Sequence, residues 1–254
     1  MKFDVEVISR EIIKPATSTP DHLHHFKYSL VDQLISSSFY TPLIYFYSLD
    51  HKLSNNEKSS HLKTSLSQVL NHFYPLAGVI KDNYVDCKNG GVLVLEAQVN
   101  CQLSQILQNP HPGSAITIIS SHNDPEEEGY DHGLVNKLRE AIHKFDKDFA
   151  KKHKEGIFDL YSKEVFEDKT LDIGELVFFN CSSFCRFPFY EADFGWGKPM
   201  WVTFGDLSAK NYTILMDTRN GDGIEAWIHL TEEQMANFET DKQLLTYASS
   251  TPCP

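Results

Sequence analysis

Apolar and charged side chains alternate at the amino terminus of the chain. Phe3, Val5 and Val7 are separated by single acidic residues, and a period of two is typical of a half-buried β-strand. Ile8 interrupts the alternation, and Pro15 ends the apolar run. The pattern therefore predicts a strand that opens the fold and ends before Pro15.

Longer segments have apolar residues spaced by three and four, the period of an amphipathic helix. This spacing predicts one helix over residues 54–73 and a second from Asp131 to about Lys154. A capping box, Thr231 followed by Gln234, predicts a short third helix near the carboxyl end. The apolar face of the first helix consists of Leu62, Leu66, Val69, Leu70 and Phe73, and that of the second of Leu134, Leu138, Ile142, Phe145 and Phe149.

The remaining apolar runs are rich in β-branched and aromatic residues and predict strands. These runs are residues 42–48, 84–97, 115–120, 176–180, 199–205, 211–217 and 223–230. Because residues 42–48 are almost continuously apolar, we expect both faces of that strand to be covered. Asn89-Gly90 predicts a hairpin within 84–97, and residues 220–223 predict another between the last two strands. Helices and strands alternate without a regular βαβ rhythm, so the predicted fold class is mixed α/β, of the α+β kind.

Composition and charge exclude several classes of protein. The chain has 254 residues, of which 41% are hydrophobic and 12% aromatic, and a disordered chain is less apolar. A net charge of −12 without a Lys/Arg-rich run argues against a nucleic-acid partner. The amino terminus lacks the unbroken apolar stretch of a signal peptide, and no segment has the ~18 apolar residues that span a bilayer. We therefore expect a cytoplasmic protein without a membrane partner.

Cysteines and clustered histidines do not predict a metal site. The chain has five cysteines at irregular spacing, and Cys181 and Cys185 have three residues between them rather than two, unlike zinc and redox motifs. We therefore expect reduced, mostly buried thiols. His22, His24 and His25 have only a directly adjacent acidic neighbour, which favours a loop with surface histidines over a metal site.

Two stretches of the chain contain long ordered motifs. The first stretch contains Ile13-Lys14-Pro15, Thr19-Pro20 and Phe73-Tyr74-Pro75-Leu76-Ala77-Gly78. The second runs from about Ala115 to the end and contains Asp193-Phe194-Gly195-Trp196-Gly197. Together they resemble the BAHD family, the acyl-CoA-dependent acyltransferases of plants. Within that family the chain is most similar to the vinorine synthase-like branch, which acylates alkaloids and other specialised-metabolite alcohols.

The resemblance implies a fold, two domains and a reaction. The expected fold is a truncated form of the sheet-and-helix architecture shared with chloramphenicol acetyltransferase. Residues 1–112 would be the remnant of the family's amino-terminal domain, and residues 113–254 the remnant of its carboxy-terminal domain. The implied reaction is O-acylation in alkaloid-type plant metabolism. Acyl-CoA would be the co-substrate and a small hydroxylated molecule the acceptor, with no bound cofactor or metal.

The motif at Asp193 also contains the Asp-Phe-Gly triplet of protein kinases. The chain has neither the Gly-rich phosphate loop nor the His-Arg-Asp loop of a kinase, so this interpretation is discarded. In the BAHD family the motif is structural and lies near the acyl-CoA channel. Gly195 and Gly197 allow a tight backbone path around Trp196, and Asp193 can hold the turn by an ion pair or by amide hydrogen bonds. We therefore expect these residues, with Phe194, to serve the fold rather than the chemistry.

The catalytic motif that the resemblance implies is missing. BAHD enzymes use a histidine base followed four residues later by aspartate, and the near-neutral pKa of imidazole suits that role. None of the twelve histidines has aspartate at this spacing, although His122 and His229 have glutamate there. His122 is therefore the one candidate catalytic residue. Ordinary packing remains the favoured interpretation of both His122 and His229. No cofactor-binding residue is assigned.

The missing motif coincides with a missing segment. BAHD proteins are more than half as long again as this chain, and the resemblance stops near residues 101–112 and resumes near Ala115. An internal block is therefore absent. This leaves an acyltransferase without its base, a non-catalytic remnant that pairs with a full-length homologue or keeps a weak ligand site, or a repurposed small-molecule binder or cyclase. Because lost strands uncover backbone edges and apolar faces, we also expect a less stable or aggregation-prone protein.

Overall fold

A computed structural model of the chain describes a defined subset of its residues. These are residues 4–29, 32, 40–48, 52–88, 90–108, 115–121, 136, 139, 140, 143, 179–205, 211–242 and 244. The chain divides into two compact units, one of Met1–Lys27, Ser38–Ser121 and Phe179–Pro254 and one of Tyr28–Ser37 and His122–Phe178. All strands and helices given below belong to the first unit.

Strands dominate the described part of the first unit. The strands are β1 (Val5–Ile13), β2 (His25–Lys27), β3 (Leu43–Phe46), β4 (Val79–Ile80), β5 (Tyr84–Asp86), β6 (Val92–Val99), β7 (Ala115–Ser121), β8 (Asn180–Ser183), β9 (Trp201–Phe204), β10 (Tyr212–Asp217) and β11 (Gly223–His229). The helices are α1 (Asn55–His72), α2 (Leu103–Gln108) and α3 (Glu232–Glu239), with short 3-10 turns at Asp21–Leu23, Tyr74–Ala77 and Phe189–Glu191. The mixed α/β class is confirmed.

The first strand forms a two-stranded antiparallel ribbon with β6. Val7 pairs with Ala97 and Ser9 with Glu96, so the register shifts at Ile8. An extra residue at this point is a β-bulge, which explains why the alternation of the sequence breaks at Ile8. The strand predicted before Pro15 is confirmed.

The hairpin predicted within residues 84–97 is wrong. Both arms are strands, but β5 pairs with β2 and β4 whereas β6 pairs with β1. Between them Gly91 has a φ of +88°, and its N–H donates to the Ala77 carbonyl oxygen at 2.8 Å. A Cβ here would lie 2.8 Å from the Ile13 carbonyl oxygen. The Gly-containing segment therefore passes the chain from one sheet to another instead of closing a turn.

The carboxy-terminal strands form a four-stranded sheet in the order β7-β11-β10-β8. β10 and β11 form the predicted hairpin, closed next to the Asp217–Ile224 pair, and the side chain of Thr218 donates to Asp222 at 2.7 Å within the turn. β7 confirms the strand predicted at 115–120. In the strand predicted at 176–180, residues 176–178 lie outside the described residues.

The main hydrophobic core lies between this sheet and the antiparallel pair β3–β9. Its buried side chains are Trp201, Val202, Phe204, Ile214, Met216 and Trp227. Phe46 stacks on Trp201 with ring centroids 5.2 Å apart, and Trp201 contacts Trp227 at 5.9 Å. The cover predicted for both faces of residues 42–48 is incomplete, because Ile44 on β3 remains 40% exposed.

Both described long helices begin at capping boxes. Ser54 and Glu57 cap α1, and Thr231 and Gln234 cap α3. The helix predicted over residues 54–73 is confirmed to within one residue at each end, and the capping box predicted at Thr231 is confirmed. The apolar face predicted for α1 is only partly buried, since Leu70 is buried while Leu62, Val69 and Phe73 are exposed. The helix predicted at 131–154 lies mostly outside the described residues; positions 136, 139, 140 and 143 are helical and exposed.

The cysteine prediction needs correction. All four described cysteines are free, but only Cys87 is buried, and Cys181 on β8 is exposed. Cys181 is exposed because β8 is the last strand of its sheet, and side chains at a sheet edge have fewer neighbours to cover them. No helix among the described residues has the length and apolar character needed to cross a membrane.

Candidate functional site

The segment Asp193–Gly197 forms a tight turn around one carboxylate. One oxygen of Asp193, Oδ1, accepts hydrogen bonds from the N–H of Gly195 at 2.7 Å and from the N–H of Gly197 at 3.0 Å. Both glycines have a φ of +101°, a conformation that side-chain-bearing residues rarely adopt. Nothing lies within 4 Å of a Cβ built on either glycine, so backbone conformation rather than crowding requires glycine here.

The electrostatics of this turn keep Asp193 ionised. The two amide hydrogen bonds, with smaller contributions from the amide of Trp196 and the charge of Lys198, hold the pKa of Asp193 below its ordinary value. A carboxylate stabilised in this way is a weak proton acceptor. The nearby Lys198 pairs with Glu191 at 2.5 Å. Of the two arrangements expected for Asp193, the structure has the amide hydrogen bonds, and they do not suit a catalytic base.

The turn is packed onto an aromatic cluster that draws on distant parts of the chain. The ring of Tyr47, just after β3, lies 6.0 Å from that of Phe194 and 6.2 Å from that of Trp196. Its hydroxyl donates to the carbonyl oxygen of Ala192 at 2.8 Å. From α1, the ammonium of Lys58 lies 5.7 Å from the centre of the Trp196 ring, a cation–π distance. The motif thus joins the amino-terminal helix and strand to the carboxy-terminal half.

Sequence reasoning did not find Tyr47 and Lys58. Tyr47 is one of several aromatic residues in an apolar run, and Lys58 is one of several polar residues on an exposed helix face. Their contacts with Trp196 span more than a hundred positions of the chain. No local pattern indicates such a contact, because the fold alone brings these segments together.

The histidines singled out in the sequence do not assemble into a catalytic group among the described residues. His122 lies outside the described residues. His229 is buried at the end of β11, opposite Tyr212 of β10. His24 bonds the Thr19 carbonyl oxygen through Nε2 at 3.0 Å and lies 3.6 Å from Asp21. The loop predicted at His22–His25 is instead a 3-10 turn followed by β2. No His, Cys, Asp and Glu cluster suitable for a metal occurs within the described part of the chain.

A shallow groove of about 510 Å³ lies between β1 and α1. Lys63 at its wall pairs with Glu11 at 2.7 Å and with Glu96 at 2.5 Å. Hydrogen bonds to these two carboxylates raise the pKa of Lys63, so the lysine stays charged and engaged. The ion pairs of Lys63 therefore occupy the cation at the wall of the groove.

Comparisons with known proteins add an independent line of evidence. A model of the Transferase family matches residues 3–130 and 134–245. A limonoid 7-O-acetyltransferase of Citrus sinensis is 45% identical over 129 residues, which cover 48% of this chain and 28% of that protein. Stemmadenine O-acetyltransferase of Catharanthus roseus is 25% identical over 413 residues, which cover 95% of this chain and 97% of that protein.

Structural comparison supports the same fold. The crystal structure of vinorine synthase matches with a TM-score of 0.69 at 22% identity, covering 97% of this chain and 99% of that chain. The alignment with stemmadenine O-acetyltransferase extends over 413 residues, whereas this chain has 254. More than a third of that alignment therefore has no residue of this chain, and the chain is a truncated version of the shared fold. In the limonoid alignment the chain spans only 28% of its relative.

Proposed function

This chain belongs to the Transferase (BAHD) family, and from that premise we propose that it is an acyl-CoA-dependent O-acyltransferase of plant specialised metabolism that has lost the catalytic base. One observation carries the proposal: the family motif Asp193–Gly197 is intact, while none of the twelve histidines has aspartate four residues on. The chain keeps a family signature and lacks the residue that accelerates the reaction.

The substrates follow from the family and its named relatives. These relatives include O-acetyltransferases of limonoids and of stemmadenine. The donor proposed for this chain is acetyl-CoA or a similar acyl-CoA, and the acceptor is a hydroxyl group of an alkaloid-type or other specialised metabolite. The compartment proposed is the cytoplasm.

The chemistry explains why the missing base matters. The acceptor oxygen attacks the thioester carbonyl, a new C–O bond forms, and the C–S bond of the acyl-CoA breaks. The hydroxyl proton must leave the attacking oxygen, and the departing sulfur takes up a proton to give free CoA. Without a side chain to accept the first proton, water must do so. Loss of a general base lowers the rate by about 10²–10⁴-fold. Asp193 does not replace it, because its carboxylate is engaged by two amides.

A second candidate function is a non-catalytic family member that binds a full-length homologue. The observation that favours it is the length of the alignment with stemmadenine O-acetyltransferase, which leaves a large block of that protein without a counterpart here. Loss of so much of a domain removes binding surface as well as the base. In this case the chain would affect acylation only through its partner.

A measurement of CoA release distinguishes the two candidates. The purified chain is incubated with a panel of acyl-CoAs and alcohols, beside full-length stemmadenine O-acetyltransferase with its own substrate. The first candidate predicts release about 10²–10⁴-fold slower than that enzyme, unchanged by His122→Ala. Release at the rate of the full-length enzyme, abolished by His122→Ala, would overturn the loss of the base. No release at all, with a full-length homologue co-purifying from plant tissue, would instead support the second candidate.

A further inference from the structure

A glutamate lies in the middle of the main hydrophobic core. Glu225 is on β11, where its neighbours across the sheet are Met216 of β10 and Ile119 of β7. Its side chain is 1% exposed, and neither carboxyl oxygen has a hydrogen-bond partner. An ionised carboxylate in such a place costs several kcal/mol, which proteins usually avoid by pairing or by protonation.

The surroundings of Glu225 offer little to stabilise a negative charge. Alternation along the strands puts it on the same face as Ile214, Met216 and Trp227, all of which are buried. The indole N–H of Trp227 lowers the pKa of the carboxyl by less than burial raises it, and it does not form a hydrogen bond of normal geometry. The indole N–H of Trp201 in the same core also has no partner.

Within the part of the chain that the structure describes, no charged side chain compensates for this burial. Among the described residues, the titratable side chains around this core are Tyr45 of β3, Tyr190 of the 3-10 turn at Phe189–Glu191, Tyr212 of β10 and His229 of β11. β7 and β9 contain no titratable residue, and Cys181 of β8 points to the opposite side of the sheet from Ile214 and Glu225. None of these groups contributes to the pKa of Glu225, which burial raises to about 7.

We propose that Glu225 is held in the core as a neutral carboxylic acid, and that its ionisation loosens the carboxy-terminal half of the molecule. The device consists of the buried carboxyl, its two unpaired oxygens and the apolar side chains that exclude water. Near neutral pH the acid is close to its midpoint, so small changes of pH alter the stability of the core.

The direction of the effect follows from proton linkage. In the unfolded chain Glu225 returns to its ordinary value of 4.5, whereas in the folded protein its pKa is about 7. The folded state therefore binds the proton more tightly, and the stability that this provides is fully present below about pH 4.5. It is lost as the pH rises through the folded value. A difference of this size corresponds to a change of roughly 300-fold in the folding equilibrium.

The test compares two variants by urea unfolding at pH 5 and pH 8. Glu225→Gln keeps the size of the side chain but cannot ionise, while Glu232→Gln removes an exposed carboxylate from the first turn of α3. We expect the wild-type folding equilibrium, relative to Glu225→Gln, to fall by about 70-fold between pH 5 and pH 8, because at pH 5 the unfolded chain has already lost most of this proton. Glu232→Gln should follow the wild type.

Two results would overturn the proposal. One is a difference between the wild type and Glu225→Gln that stays constant between pH 5 and pH 8. The other comes from the wild-type protein alone, so it applies even if the variant does not fold. Carboxyl-labelled glutamates are followed by NMR across the same range. A glutamate signal that titrates near pH 7 supports the proposal, and the absence of any such signal contradicts it.

Discussion

The carboxy-terminal core and the amino-terminal β1–β6 ribbon contain equally apolar strands, yet they bury them differently. In the core, Val202, Ile214 and Met216 are fully buried. In the ribbon, Ile12 of β1 and Leu93 of β6 are each 58% exposed. The spacing of apolar residues explains why both regions form strands. Burying the side chains of a strand also requires a second layer of structure packed against them. The β3–β9 pair supplies that surface to the carboxy-terminal sheet.

The exposed side of the ribbon is a single continuous face. Strand pairing puts Val5, Val7, Arg10 and Ile12 on the same side as Leu93, Leu95, Ala97 and Val99, and we call this the outer face. The opposite side faces α1, where Lys63 pairs with Glu11 and Glu96. The apolar side is thus turned away from the helix. A truncated fold that has lost neighbouring segments would leave such a face uncovered.

The largest expected difference between the two regions comes from one substitution made in each. Ile214→Ala in β10 removes a fully buried side chain and should lower the free energy of unfolding by about 2–5 kcal/mol. Ile12→Ala in β1 removes a side chain that is already mostly exposed and should cost about 0.5 kcal/mol. Urea unfolding of both variants measures the contrast. Equal losses would mean that the outer face is covered in solution.

The two capping boxes give a second matched comparison. Thr231→Ala at α3 and Ser54→Ala at α1 each remove a hydroxyl that accepts a backbone N–H, and such a loss costs about 1 kcal/mol. We expect this cost from Thr231→Ala in the cooperative transition. If the amino-terminal region unfolds first, Ser54→Ala should shift only an earlier transition seen by circular dichroism. Identical shifts in one shared transition would show that the two regions unfold together.

The turn at Asp193, which packs against Tyr47 and Lys58, should respond to acid. Its pKa is held below the ordinary value by the amides of Gly195 and Gly197, so its contribution to stability is present above the unfolded pKa. That contribution is lost as the pH falls through the folded pKa. Asp193→Asn should therefore destabilise the protein at neutral pH and remove part of its acid sensitivity, as measured by unfolding at pH 3 and pH 7. Glu233→Gln, an exposed carboxylate on α3, is the control; a matching response from both variants would contradict this role.

The smallest effect on stability is expected from charging the outer face. Leu93→Glu and Leu95→Glu each add charge to exposed positions and should change the free energy of unfolding by about 0.5 kcal/mol or less. They should nevertheless reduce self-association of the purified protein, because exposed apolar patches promote aggregation. Analytical ultracentrifugation at several concentrations measures this. A wild-type protein that remains monomeric would contradict an uncovered face.

Local sequence signals predict where helices, strands and turns lie in this fold better than they predict which strands pair with each other. The capping residue Thr231 and the turn at residues 220–223 act within a few positions, and the structure confirms both. The hairpin predicted around Asn89-Gly90 is wrong because strand pairing depends on which strand edges are free, and β6 pairs with β1 rather than with β5. The division at 112/113 stays a prediction, because residues 109–114 lie outside the described residues.

The candidate site also contains contacts that a local pattern predicts and contacts that it does not. The hydrogen bonds of Asp193 follow from the two glycines beside it, whereas the contacts of Tyr47 and Lys58 with Trp196 do not follow from any local pattern. Glu225 is the clearest case. In the sequence it stands between apolar residues of a strand, and only the packing of a second sheet onto β11 shows that its carboxyl is buried.

The pH dependence of CoA release shows whether a histidine acts as the base in this chain. If the chain keeps the acyltransferase fold without a histidine base, residual release should rise steadily with hydroxide concentration, at about 10²–10⁴-fold below a full-length relative. Repeating the measurement with Glu225→Gln removes the contribution of the buried acid. A rate that matches the full-length relative and levels off above a midpoint near 6.5, the ordinary pKa of imidazole, would show that a histidine still acts as the base.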